Sequence, residues 1–137
     1  MNLAELTLIL QVSIFPIALI SGIGLIILSM TNRLGRIMDR IRLLINEKEN
    51  KAQINLLYRR AKIMQRAIIV GSISILFVAI LIIMNFMFLI LNINSTIMTI
   101  IVFSLILILL IISLVLFIYD LTLSLKAVEI EIEIKDD

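Results

Sequence analysis

Three long runs without a single charged residue limit what this chain can become. They are Leu6–Met30 (LTLILQVSIFPIALISGIGLIILSM), Ala67–Leu91 (AIIVGSISILFVAILIIMNFMFLIL) and Ile97–Ile118 (IMTIIVFSLILILLIISLVLFI). A helix needs about 20 apolar residues to cross the ~30 Å hydrocarbon core of a bilayer, and each run meets that length, even with tilt. One such run can be a buried helix of a soluble domain, but three in 137 residues exceed what one small water-soluble core can hide. The chain is 62% hydrophobic, well above the roughly 45–50% of soluble domains. The first run lacks a basic leader and a small-residue cleavage site and passes directly into arginines, so it reads as a retained span rather than a signal peptide. The expectation is an all-α membrane protein, a single domain over 1–137 with spans at about 6–30, 67–91 and 97–118. Pro16 removes one backbone donor from the first span, where a local kink is expected.

Charge is distributed very unevenly. Arg33, Arg36, Arg40, Arg42, Lys48, Lys51, Arg59, Arg60, Lys62 and Arg66 lie between the first and second spans, ten of the twelve Lys and Arg of the chain. The connector NINST between the second and third spans carries none. Basic residues in short connectors mark the cytoplasmic side, so residues 33–66 and the tail 120–137 are expected inside, and the N-terminus and residues 92–96 outside. From residue 33 onward, Leu34, Ile37, Met38, Ile41, Leu44 and Ile45 recur at helical spacing, as do Ile54, Leu57, Ala61, Met64 and Ile68. Asn55, Arg59, Lys62 and Arg66 fall on the opposite face of the second set, and NEKENK between the sets is polar enough for a turn. This pattern predicts a cytoplasmic antiparallel helical hairpin whose arms continue the transmembrane helices. The first helix then runs from near the N-terminus to Glu47, about 65 Å at 1.5 Å per residue.

The tail is acidic: with Asp120 it holds six acidic and two basic residues, against three acidic and ten basic in 33–66. The two segments attract one another. Val128–Ile134 alternates apolar residues with glutamate, a strand-like period of two, which leaves a strand and a solvated helix end both open.

Enzymatic chemistry finds little support. The chain has no histidine and no cysteine, which removes the commonest general base, the commonest metal ligand and thiolate chemistry. No Walker loop, dinucleotide fingerprint or HExxH motif is present. SGIG in the first span is embedded in apolar sequence and is no phosphate loop. No enzyme activity, cofactor, metal or nucleic-acid partner is expected.

Polar residues inside the spans say more. On a helical wheel Thr7, Gln11, Ala18, Ser21, Gly22, Ser29, Asn32 and Arg36 share one face of the first helix, interrupted by Ile14 and Leu25. Small and polar residues in such a stripe permit close helix packing or line a pore in which Ile14 and Leu25 form apolar constrictions. Gln11, Asn85 and Ser104 lie at similar depth, about 8–9 Å below the outer edge, as interhelical glue or a hydrophilic layer. Arg33, Arg36, Asp39 and Arg40 either border a cytoplasmic mouth or hold topology and anionic lipid, with Asp39 in reach of Arg36 or Arg42 at i−3 or i+3.

The stretch FPIALISGIGLIILSMTNRLGRIMDRIRLL resembles a family of small bacterial membrane proteins known as domain of unknown function 2721. The shared features are SGIG in an apolar helix, followed by Asn32, Arg33, Arg36, Ile37, Asp39, Arg40 and Arg42. The specific letters cover Pro16–Leu44; the Ile-Glu alternation of the tail is outside the pattern. The resemblance implies a bacterial inner-membrane protein of about three spans, with no catalytic residue to carry over. One copy has too few helices to enclose a conduit, so a homo-oligomer is expected, with membrane lipid, itself and inorganic ions as partners. The leading functional expectation is an ion channel or pore lined by the first helix. The alternative is a non-conducting structural or regulatory protein that binds anionic lipid or a protein partner through the basic hairpin. A carrier fits less well, because no internal repeat or paired broken helices are seen.

The charge asymmetry gives a direct test. With single cysteines at Asn50 and Ser95, an impermeant thiol reagent applied to intact cells is expected to label Ser95→Cys and spare Asn50→Cys; the reverse pattern contradicts the orientation.

Overall fold

The computed structural model describes residues 2–47 and 51–136, with the side chains of Ser13, Ala127, Ile130, Glu131 and Ile134 outside that description. It consists of three helices: α1 (Leu3–Asn46), α2 (Lys51–Leu91) and α3 (Thr96–Asp136). All three are long and apolar enough to cross a membrane. There is no strand among the described residues. The expected turn in NEKENK falls largely on residues 48–50, which lie outside them.

Each helix is long because nothing in its sequence stops it. α1 starts with Asn2, whose backbone N–H donates to the Glu5 carboxylate at 3.1 Å, half of a reciprocal capping arrangement. It continues through Pro16, which costs one backbone hydrogen bond, and runs on past the apolar segment into the basic one. Its 44 residues span about 66 Å. α2 ends at Asn92, which takes a positive φ of 55°. There the N–H groups of Ile93 and Asn92 donate back to Phe88 and Leu89, the paired bonds of a Schellman stop. Asparagine tolerates that conformation better than the isoleucines and leucines around it. The tail's alternating Ile and Glu end up in the last turns of α3, so the open choice there resolves to helix. Without a second strand to pair with, an extended segment leaves its backbone groups bonded only to water, whereas helix continuation satisfies them internally.

α2 is the central element: α1 and α3 each pack along it. The buried positions repeat every seven residues. On α1 they are Pro16, Ile23, Met30, Ile37 and Leu44, with Ile41 buried beside the row. On α2 two parallel rows hold Leu57, Met64, Gly71 and Val78, and Arg60, Ala67, Ser74 and Leu81, with Ala61 buried beside them. On α3 they are Ile106, Ser113 and Asp120. A strict seven-residue seam is the pattern of left-handed supercoiled packing. It is narrower than the apolar stripe read from sequence, and Met38 and Ile45 of that stripe are exposed. Toward one end, Ile37, Ile41 and Leu44 pack with Leu57 and Ala61. Midway, Met30, Met64 and Ala67 are fully covered. Toward the other end, Ile23, Val78, Leu81 and Ile106 join all three helices.

In lipid the hydrophobic effect does not draw helices together, so close backbone approach and interhelical hydrogen bonds matter more. The seam supplies both. Ser113 Oγ donates to the Ala67 carbonyl at 2.7 Å, and Ser74 Oγ donates to the Ile106 carbonyl at 3.3 Å. Gly71 sits where the helices come closest: a Cβ there lies 3.0 Å from Ser113 Oγ and 3.3 Å from the Ile27 side chain. Ser113 cannot yield without giving up its bond to Ala67.

Gly71→Ala is therefore expected to lose about 1–3 kcal/mol of stability through overpacking, and Gly71→Leu to disrupt the unit. Gly35→Ala, where a Cβ meets nothing within 4 Å, is expected to be neutral or to stabilise by up to about 1 kcal/mol. Thermal unfolding of the purified variants in one detergent checks the contrast; equal melting points for Gly71→Ala and wild type contradict the close approach.

Candidate functional site

The least ordinary feature of the seam is that it ends on charges. Asp120 is 0% exposed. It occupies the position two heptads after Ile106 and one after Ser113 on α3, just past the third apolar run. Arg33, three residues past Met30 on α1, donates from Nε to Asp120 Oδ2 at 3.0 Å. Arg60, seven residues before Ala67 on α2, places Nε 3.4 Å from Oδ1. That second contact is an ion pair without hydrogen-bond alignment, and both its atoms lack a hydrogen-bond partner. One carboxylate thus joins three helices at the edge of the apolar zone. Arg60 is buried while Arg33 keeps a 29% exposed side chain, so the cluster opens to solvent on the α1 side.

Around this cluster lies a cleft of about 240 Å³ lined by Arg33, Arg36, Ile37, Arg40, Leu57, Arg60 and Ser124. Four guanidinium groups, one hydroxyl and two apolar side chains from three helices form its wall. Arg36 and Arg40 follow Arg33 at one-turn spacing on α1, and Ser124 follows Asp120 by one turn on α3. Asp39 is exposed, and among the described residues no ion pair joins it to Arg36 or Arg42, so the expected i±3 pairing is not formed. Lys62, on the outer face of α2, lies 5.8 Å from the ring of Tyr58.

The polar stripe of α1 lies on the side away from α2. Thr7, Gln11, Ile14, Ala18, Ser21, Gly22, Leu25, Ser29 and Asn32 are all exposed. Thr7 bonds its own helix, donating to the Leu3 carbonyl, and needs no partner. Gln11, Ser21, Ser29 and Asn32 form no side-chain hydrogen bond among the described residues. Asn85 is half-buried and accepts a hydrogen bond from Thr99 Oγ1 at 2.8 Å, tying α2 to α3. Gln11 and Ser104 are exposed and stand outside that pair. Near the same end Phe15 and Phe103 contact each other with centroids 6.0 Å apart.

Sequence reasoning included Arg33 but missed its partners. From sequence alone Arg60 reads as one more cation of a basic stretch, and Asp120 as part of an acidic tail. The signal was present in the register. Arg60 shares a seven-residue row with Ala67, Ser74 and Leu81, and Asp120 shares one with Ile106 and Ser113. An ionisable residue on a buried row requires a counter-charge there.

Three long apolar helices, a polar seam and a charge cluster at the edge of the apolar zone define a multi-pass integral membrane protein. The family model described as protein of unknown function (DUF2721) matches residues 13–130. The chain belongs to that family. No curated protein and no solved structure matches it.

Removing one partner of a buried charge pair leaves the others uncompensated, at a cost of about 3–5 kcal/mol. Asp120→Asn is expected to destabilise by that order in a detergent unfolding assay. The triple variant Asp120→Leu, Arg33→Leu, Arg60→Met removes the charges together and is expected to recover most of the loss. A wild-type melting point for Asp120→Asn contradicts the assignment.

Proposed function

We propose that the protein is a homo-oligomer of the bacterial inner membrane in which the α1 stripes of several copies face a common axis and line a path for ions. In this reading residues 33–66 form a cytoplasmic hairpin, the N-terminus lies outside, and the protein carries no enzymatic activity. The observation that carries it is the set of unsatisfied polar side chains on α1. Gln11, Ser21, Ser29 and Asn32 point away from the three-helix unit without hydrogen bonds among the described residues. Exposing an unpaired amide or hydroxyl to hydrocarbon costs several kcal/mol. Another copy or a water-filled axis removes that cost. Gly22 and Ala18 between them permit close approach, and Ile14 and Leu25 supply apolar constrictions of the kind that close by dewetting. Arg36 continues the same face at the cytoplasmic end.

Planar-bilayer recording of the purified protein tests the reading. Discrete currents are expected from wild type. Gln11→Leu is expected to change unitary conductance while altering assembly only modestly, because one interhelical hydrogen bond in a membrane averages about 0.6 kcal/mol. Arg36→Glu is expected to move the reversal potential in asymmetric salt toward cation preference, and Arg59→Glu, on the outer face of α2, to leave it in place. An assembled but silent wild-type protein overturns conduction. It favours the alternative of a structural or regulatory protein acting through its basic segment.

A further inference from the structure

We propose that the arginine cleft is a binding site for a phosphate-bearing anion, either the headgroup of an anionic phospholipid or a free phosphate ester. This goes beyond ion conduction and stands whether or not the protein conducts. Three observations point to it. The first is charge. Leaving Arg40 aside, Arg33, Arg36 and Arg60 line the cleft, and the one carboxylate paired with any of them, Asp120 on Arg33 and Arg60, leaves an excess of two positive charges. The second is preorganisation. The contact of Asp120 with Arg33 and with Arg60 is made at Nε in each case. Each guanidinium has five donor hydrogens, so the terminal N–H groups of both remain for a ligand while their stems are held. Arg60 is buried, and its pairing with Asp120 at 3.4 Å holds it in place without a hydrogen bond at Nε. The third is shape. Phosphate oxygens accept paired N–H bonds from guanidinium forks, and the Ser124 hydroxyl adds a donor from a third helix. Ile37 and Leu57 give the cleft an apolar wall.

The depth suits a headgroup. Arg33 and Arg36 lie three and six residues beyond Met30, the end of the apolar run, hence about 4 to 9 Å beyond the hydrocarbon edge. The polar layer of each leaflet is about 5–7 Å thick. A diffuse basic surface attracts anions through all its cations alike, but a built cleft depends on the residues that line it.

The full-length protein in detergent, titrated with phosphatidylglycerol or phosphatidylcholine and read by native mass spectrometry, tests the proposal. Wild type is expected to retain phosphatidylglycerol about fivefold more than phosphatidylcholine. Arg36→Gln is expected to lose about that factor, and Arg36→Lys to recover only part of it. Arg36 is exposed and outside the Asp120 cluster, so an unchanged melting point confirms that these variants fold. Arg59→Gln, outside the cleft, is expected to stay within about twofold of wild type. Adding inorganic phosphate separates the sources: displacement of the lipid assigns the site to a free phosphate, and retention assigns it to the headgroup. Equal retention of the two lipids by wild type together with no binding of inorganic phosphate overturns the proposal, as do equal losses in Arg36→Gln and Arg59→Gln.

Discussion

A carboxylate taken out of water must be compensated where it stands, and for Asp120 the compensation comes from two other helices. Arg33 of α1 and Arg60 of α2 meet it from either side. This contact fixes more than its own energy. Asp120 shares its stripe with Ser113 and Ile106, so the ion pair and the two serine hydrogen bonds set one rotation and one height of α3 against α2. Sliding α3 by one turn toward the apolar zone carries a carboxylate into hydrocarbon and strips Ser113 of its partner at Ala67. Gly71 then permits the approach that this register demands.

The same seam determines what is left over. α1 spends one face on α2 and contributes Ile23, Met30 and Ile37 to the buried rows. Its opposite face carries Gln11, Ser21, Ser29 and Asn32 away from the unit. Within the unit the uncharged polar side chains of the helix contacts are matched: Ser74 with Ile106, Ser113 with Ala67, Thr99 with Asn85. Outside it four are not. A membrane protein that satisfies its polar atoms in one place and leaves a row of them bare in another has a second surface to cover, and this contrast is why assembly through α1 is proposed. The arginine cleft lies at the end of that row, where Arg33 belongs to the internal cluster and Arg36 to the outer face.

Much of the architecture was legible in the residues. Charge-free runs of more than twenty residues set three helices, and the polar NINST connector set the break between the last two. The continuity of α1 into the basic stretch followed from Leu34, Ile37, Ile41 and Leu44. The precise seam is harder to read, because in the apolar runs of α2 and α3 nearly every residue is apolar and no contrast marks the buried row. There only the rare residues carry information: Gly71, Ser74, Ser113, Asn85, Arg60 and Asp120. The sequence leaves Asn85 as interhelical glue or part of a hydrophilic layer; its partner is Thr99 rather than the residues at matching depth, because depth constrains height and not direction. Asp39 was within helical reach of two arginines yet stands exposed, since a solvated pair on a helix surface gains only a few tenths of a kcal/mol and loses side-chain freedom. The tail's two-residue alternation had no sheet to join and became the last turns of α3.

The claim on which the functional reading rests is that α1 turns its polar face toward another copy of the chain. The protein has no cysteine, so single cysteines report without background. Oxidative crosslinking in native membranes of Ser21→Cys and Ser29→Cys, beside Ile111→Cys on the exposed apolar surface of α3, gives the most direct measurement. Disulfide-linked dimers at Ser21 and Ser29 and monomer at Ile111 are expected. Monomer at all three positions, or equal crosslinking at all three, contradicts an assembly built on α1.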